Sequence, residues 1–257
     1  MAPLTEEEYR SLNLDELVTR MDDILDSSFI IRRMFSPLSL NVRSIIYTKK
    51  VQEFPPDLRR KLAHKTFGFI VQLFNANETR RAEFKKDKED HEIALNLYTS
   101  ARNQWVIVSS RMAFEYFLSI IYMIGSGSEI KSDSKIKAFK KFLKKPDNPY
   151  IYFVMSIVKA THFDRQMRFP EVHASSKMNS KILKLSATEI DNDILELISI
   201  MMNQWQYVIE FSKGNIPTGW VHTNSSEEEK NWQRVCDKGD AKEIASEIEK
   251  LFDNAGA

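Results

Sequence analysis

Trp105-Val-Ile-Val-Ser-Ser-Arg111-Met-Ala-Phe-Glu115-Tyr-Phe-Leu-Ser119-Ile-Ile-Tyr122-Met-Ile124 is the stretch that decides the fold. Its length and apolar content match a membrane span, which needs about 20 residues. Arg111 and Glu115 stand in its middle, and each would cost about 2.5 to 3.5 kcal/mol at a bilayer centre. A helix buried in a folded core is the better reading, with no membrane partner. Gln104, Arg111, Glu115, Ser119 and Tyr122 recur at steps of seven, four, four and three, so they share one face and form a polar seam. Buried charges need partners, and Arg111 can meet Glu115 at i, i+4 or reach a neighbouring element.

Helical signals continue on both sides of this stretch. The chain holds only seven glycines and eight prolines, and most prolines fall where a helix would begin or end. Pro55-Pro56-Asp57 opens a helix over Leu58 to Phe74, and Asn148-Pro149 opens one over Tyr150 to His162. Tyr150 to Val158 is rich in strand formers, yet its caps and the lack of a nearby partner strand favour helix. Asp191 or Asp193 begins a segment whose apolar positions Ile194, Leu197, Ile198, Met201, Met202, Trp205, Val208 and Ile209 keep helical spacing. Lys213 and Gly214 close it as a basic last turn and a C′ glycine.

After a connector at 214–224, residues 225–257 read as a helical hairpin on the same domain. Ser225 and Glu228 form a capping box, Gly239 marks the break, and Asp240 with Glu243 starts the last helix. The last helix carries the stripe Ile244, Ile248, Leu251 and Phe252.

Composition narrows the function classes. The 257 residues are 42% hydrophobic and 28% charged, which suits a globular domain with its own core. Lys+Arg 37 against Asp+Glu 36 leaves no global basic field, so any nucleic-acid contact must be local. Cys236 is the single cysteine, which excludes an internal disulfide and a multi-cysteine zinc site. The acidic start around Glu6, Glu7 and Glu8 lacks the features of an export signal, and the cytoplasm is the expected compartment.

Several motifs are missing. His64, His91, His162, His173 and His222 contain no i, i+4 pair for zinc, so neither metal nor cofactor is expected. Gly125-Ser-Gly127 lacks the ending of a phosphate cradle and reads as a turn. The run from Lys131 to Lys145 is an amphipathic basic helix, with Lys137, Lys140, Lys141 and Lys144 beside Ile136, Phe139, Phe142 and Leu143. Such lysines would contact a phosphate backbone or simply form the solvated face over a packed stripe.

The segment Thr161-His-Phe-Asp-Arg-Gln-Met-Arg168-Phe-Pro-Glu171-Val-His173-Ala-Ser-Ser-Lys177 gathers the chemistry. Pro170 suits a first helical turn, and Glu171 is favoured near a positive helix end. One turn of chain brings the Arg168 guanidinium and the His173 imidazole to the same end of the element. The guanidinium can neutralise a phosphorane-like charge, and imidazole exchanges protons near neutral pH. Docking this segment on the seam would bring Arg111, Glu115, Arg168, Glu171 and His173 into one pocket. A cap network that pins a helix start uses the same residues without catalysis.

Arg168-Phe-Pro-Glu-Val-His173, set among long helices, resembles the Arg, four to six residues, His signature of the HEPN superfamily. The resemblance extends over 91–213. It implies a metal-independent ribonuclease acting as a homodimer, with Arg168 on the scissile phosphate, His173 as general acid or base, and the RNA 2′-hydroxyl as nucleophile. Active members usually carry a polar residue where Phe169 stands. The expected fold is therefore an all-α multi-helix bundle over 1–213, with a HEPN-like core and added N- and C-terminal helices. The expected function is RNA cleavage or RNA binding, and the alternative is a non-enzymatic interaction scaffold. Met201, Met202, Trp205 and Tyr207 are candidates for the dimer interface.

Overall fold

The computed structural model describes residues 5–27, 40–81, 92–130, 138–139, 141–142, 187–215, 231, 234–235, 238 and 240–254. Among them every regular element is α-helical, as the sequence predicts. The helices are α1 (Glu6–Ser11), α2 (Leu14–Ser27), α3 (Arg43–Ile46), α4 (Lys49–Gln52), α5 (Pro56–Arg81), α6 (Glu92–Ser126), α7 (Ala187–Lys213) and α8 (Ala241–Asn254).

The long pair α5 and α6 forms the frame and shares the largest interhelical contact. Its contacts run in opposite directions along the two helices. Lys61 meets Glu129, Phe69 meets Phe117 and the Arg80 carbonyl meets Arg102, so the pair is antiparallel. Close approach is possible at Gly68, where a β-carbon would stand 2.9 Å from the Tyr116 ring. Both helices bury several faces because other elements pack around them, and α6 sends Val106, Ile107, Ala113, Phe114, Phe117, Leu118, Ile120, Ile121, Met123 and Ile124 into the core.

Helix α7 closes the other side of this frame. Trp205 is fully buried and stacks on Phe69 with ring centroids 4.9 Å apart. Ile194, Leu197, Ile198, Met201, Val208 and Ile209 are buried with it, which confirms the spacing read from the sequence. Met201 and Trp205 thus belong to the core, while Met202 and Tyr207 are half-buried against it. For Met201 and Trp205 core packing is the reading, since a wholly buried side chain has no surface to offer a partner; Met202 and Tyr207 keep part of their surface.

Local chemistry fixes the helix ends. Thr5 with Glu8, and Asn13 with Glu16, form reciprocal capping boxes on α1 and α2. Gly214 adopts φ +90° beyond α7, its N–H donating to the Phe211 carbonyl while that of Asn215 reaches Glu210. Gly127 takes φ +63° beyond α6, with its N–H donating to the Met123 carbonyl at 2.9 Å. Asp240 caps α8 through the N–H groups of Lys242 and Glu243, and Ile248 anchors that helix in the core.

Candidate functional site

The polar seam begins on α6 with Gln104, which is exposed. Arg111 Nη2 donates to Glu115 Oε1 at 2.7 Å, with side-chain exposures of 17% and 31%. The pairing is within the helix, as i, i+4 spacing allows. Partial burial strengthens it relative to a solvated pair. Ser119 turns back to the Glu115 carbonyl at 2.8 Å, so its hydroxyl is satisfied inside the helix and is buried. Tyr122 lays its ring against Phe142, centroids 5.1 Å apart. Gln104 is therefore the exposed end of the seam, Arg111 and Glu115 are its partly buried middle, and Ser119 and Tyr122 serve packing.

Beside the ion pair, α6 presents an unexpected apolar surface. Trp105 is 66% exposed and Met112 38% exposed. They are seven residues apart, hence on one face, with half-buried Val108 between them. The sequence reading placed the whole stretch in the core, and that is corrected for these two positions. Composition alone could not separate them, because α6 is apolar on nearly every side. The stretch Ala101–Ser126 is the one described helix long and apolar enough to cross a membrane, and two thirds of its most apolar window is buried by other helices.

Arg168, Glu171 and His173 lie outside the described residues, as do Lys137, Lys140 and Lys144, the segment Tyr150 to His162, and 216–224. Lys141 is described and exposed, while Phe139 and Phe142 are buried beside it. That arrangement is the outward-lysine, inward-aromatic pattern of an amphipathic helix. Among the described residues no group of three His, Cys, Asp or Glu side chains could hold a metal ion.

One polar cluster escaped the sequence reading. Tyr9 Oη lies 2.9 Å from His64 Nδ1, and the two rings sit 5.6 Å apart. Arg60 extends from the same α5 face and donates to the carbonyls of Leu12 at 2.6 Å and Tyr9 at 3.0 Å. Burial pushes the His64 imidazole below its ordinary pKa, and the Arg60 charge adds to the effect. Burial likewise raises the Tyr9 phenol. The Arg60 guanidinium is occupied with main-chain carbonyls, so this cluster clamps α1 onto α5. No signal within either segment reveals it, because the partners are 55 residues apart.

No family model, curated protein or solved structure matches this chain.

Proposed function

We propose that this chain is a HEPN-like helical protein that cleaves or binds RNA without a metal, in the cytoplasm and as a homodimer. The observation that carries the reading is the Arg111–Glu115 pair, a partly buried ion pair set midway along the most apolar helix. Charge at such a position is costly unless it is used or paired, and it provides a guanidinium near a protein-walled surface. The Arg168 to His173 signature supplies the second part, with Arg168 on the scissile phosphate and His173 moving the proton. Glu171, between them in sequence, would pair with one of the two. The exposed Lys141, with Lys137, Lys140 and Lys144 on the same run, would follow the phosphate backbone.

The test is cleavage of single-stranded RNA in the presence of a chelator. Wild type should cut, and Arg168→Ala and His173→Ala should each lose about 100-fold or more in rate at unchanged thermal stability. Absence of cleavage by the wild type, or cleavage that survives both substitutions, would remove the catalytic assignment.

A second reading, a non-enzymatic interaction module, is favoured by Trp105 and Met112. Tryptophan and methionine are enriched in interface cores, and an arginine stands beside them on α6. On this reading Trp105→Ala abolishes self-association in sedimentation equilibrium, while no RNA cleavage is found in any variant.

A further inference from the structure

Helix α1 has six residues, far too short to persist alone in water. Glu7, Glu8, Arg10 and Ser11 are exposed, and only Tyr9 and the following Leu12 are half-buried against the core. Besides the packing of Leu12, three groups that meet at α5 hold it in place. The Tyr9 hydroxyl reaches His64 Nδ1, the two rings are in contact, and Arg60 holds the carbonyls of Tyr9 and Leu12 at the carboxyl end of α1.

We propose that α1 is an arm released on acidification, with His64 as the trigger and its contacts with Tyr9 and Arg60 as the latch. Tyr9 is the titratable group that α1 places on His64, and Arg60 is the charged group that α5 places there. In the docked form the imidazole is neutral, and Nδ1 and the Tyr9 hydroxyl share one hydrogen bond. Protonation leaves both ring nitrogens as donors only, so the Tyr9 hydroxyl can serve Nδ1 only as an acceptor. It also sets a second cation beside Arg60, which cannot turn away without giving up both carbonyls. Release of α1 hydrates the imidazolium and separates these demands.

The direction follows from linkage. Docking holds the His64 pKa below its ordinary value, so the docked state binds fewer protons. The attachment is at full strength above the ordinary histidine value of 6.5 and weakens as pH falls below it. Burial is the larger cause and the Arg60 charge the smaller, so the effect persists in high salt.

The experiment is amide hydrogen exchange on the full chain from about pH 8 to about pH 5, corrected for the intrinsic rate, comparing residues 5–12 with the core of α5. Protection of 5–12 should fall by up to about tenfold for each unit that docking depresses the His64 pKa, while α5 stays protected. His64→Gln, neutral at every pH and still an acceptor, should keep 5–12 protected throughout. Undiminished protection of the wild-type arm at low pH would overturn the proposal. So would an equal loss in His64→Gln, or simultaneous opening of α5. Direct titration of His64 in the wild type needs no variant, and a normal pKa there would overturn it as well.

Discussion

Asp22 on α2 accepts the Nε–H of Arg43 at 2.9 Å, and the same carboxylate closes the start of α3 by accepting the Val42 N–H at 2.7 Å. The Val42 side chain makes no cap bond; Asn41 Oδ1 accepts the Ser44 N–H at 2.8 Å, and the aspartate 20 residues away on another helix takes the Val42 N–H that this local cap leaves. Arg43 is 55% exposed, and an ion pair with one partner in water contributes little. The main-chain bonds are the stronger part, since Asp22 is buried. In urea melts, Arg43→Ala should cost under about 1 kcal/mol and Asp22→Ala about 2 to 4 kcal/mol. Equal costs would mean that the ion pair, and not the cap, matters.

Thr66 is completely buried on α5, and its hydroxyl has no hydrogen-bond partner among the described residues. Valine has the same shape without the unsatisfied group. Thr66→Val should raise stability by about 1 kcal/mol, read as a higher denaturation midpoint at unchanged slope. A lower midpoint would show that the hydroxyl is bonded in solution.

Gly68 faces Tyr116 across the α5–α6 contact, and Lys65 lies 5.8 Å above the same ring. Alanine is a better helix former than glycine by about 1 kcal/mol. Here its methyl group must displace the Tyr116 ring, and such overpacking costs about 1 to 3 kcal/mol. Gly68→Ala should therefore destabilise the wild type yet stabilise a Tyr116→Ala background. A gain in both backgrounds would contradict the close packing.

Glu129 joins the two long helices at one end, with Lys61 Nζ at 2.7 Å and Lys65 Nζ at 3.8 Å. The Lys61 hydrogen bond, with help from both lysine charges and against some burial, draws its carboxyl below the ordinary value. Its contribution is complete above the unfolded value of 4.5 and is lost as pH falls through the lower folded value. Thermal melts of wild type and Glu129→Gln should differ near neutral pH, converge in acid and draw together as salt is added. A gap that persists in acid would point to packing.

Helix positions were legible wherever one strong pattern acted locally. Helix α6 runs to Ser126, two residues past the Ile124 that ends the quoted apolar stretch, and α7 is helical from Ala187, ahead of Asp191. Helix α5 continues from Phe74 to Arg81, because Asn75 to Arg81 contain neither proline nor glycine to stop it. The short helices α1, α3 and α4 were not anticipated: four to six residues carry too little periodicity to read, and local caps such as Thr5 with Glu8 are joined by partners remote in sequence, such as His64 and Arg60 for α1 and Asp22 for α3. The Arg111–Glu115 pair was legible from its spacing alone. Exposure of Trp105 was not, because a helix with few polar positions gives no internal sign of which side stays wet.

The burial contrast between Trp205 and Trp105 has a spectroscopic consequence. One indole is sealed against Phe69 and the other stands mostly in water, so with Trp220 and Trp232 replaced by phenylalanine the chain carries two separable fluorophores. The sealed one should emit toward the blue and resist iodide quenching, reporting unfolding of the bundle. The wet one should emit toward the red and respond to anything that settles on α6. A single emission scan then distinguishes loss of the fold from occupation of its surface.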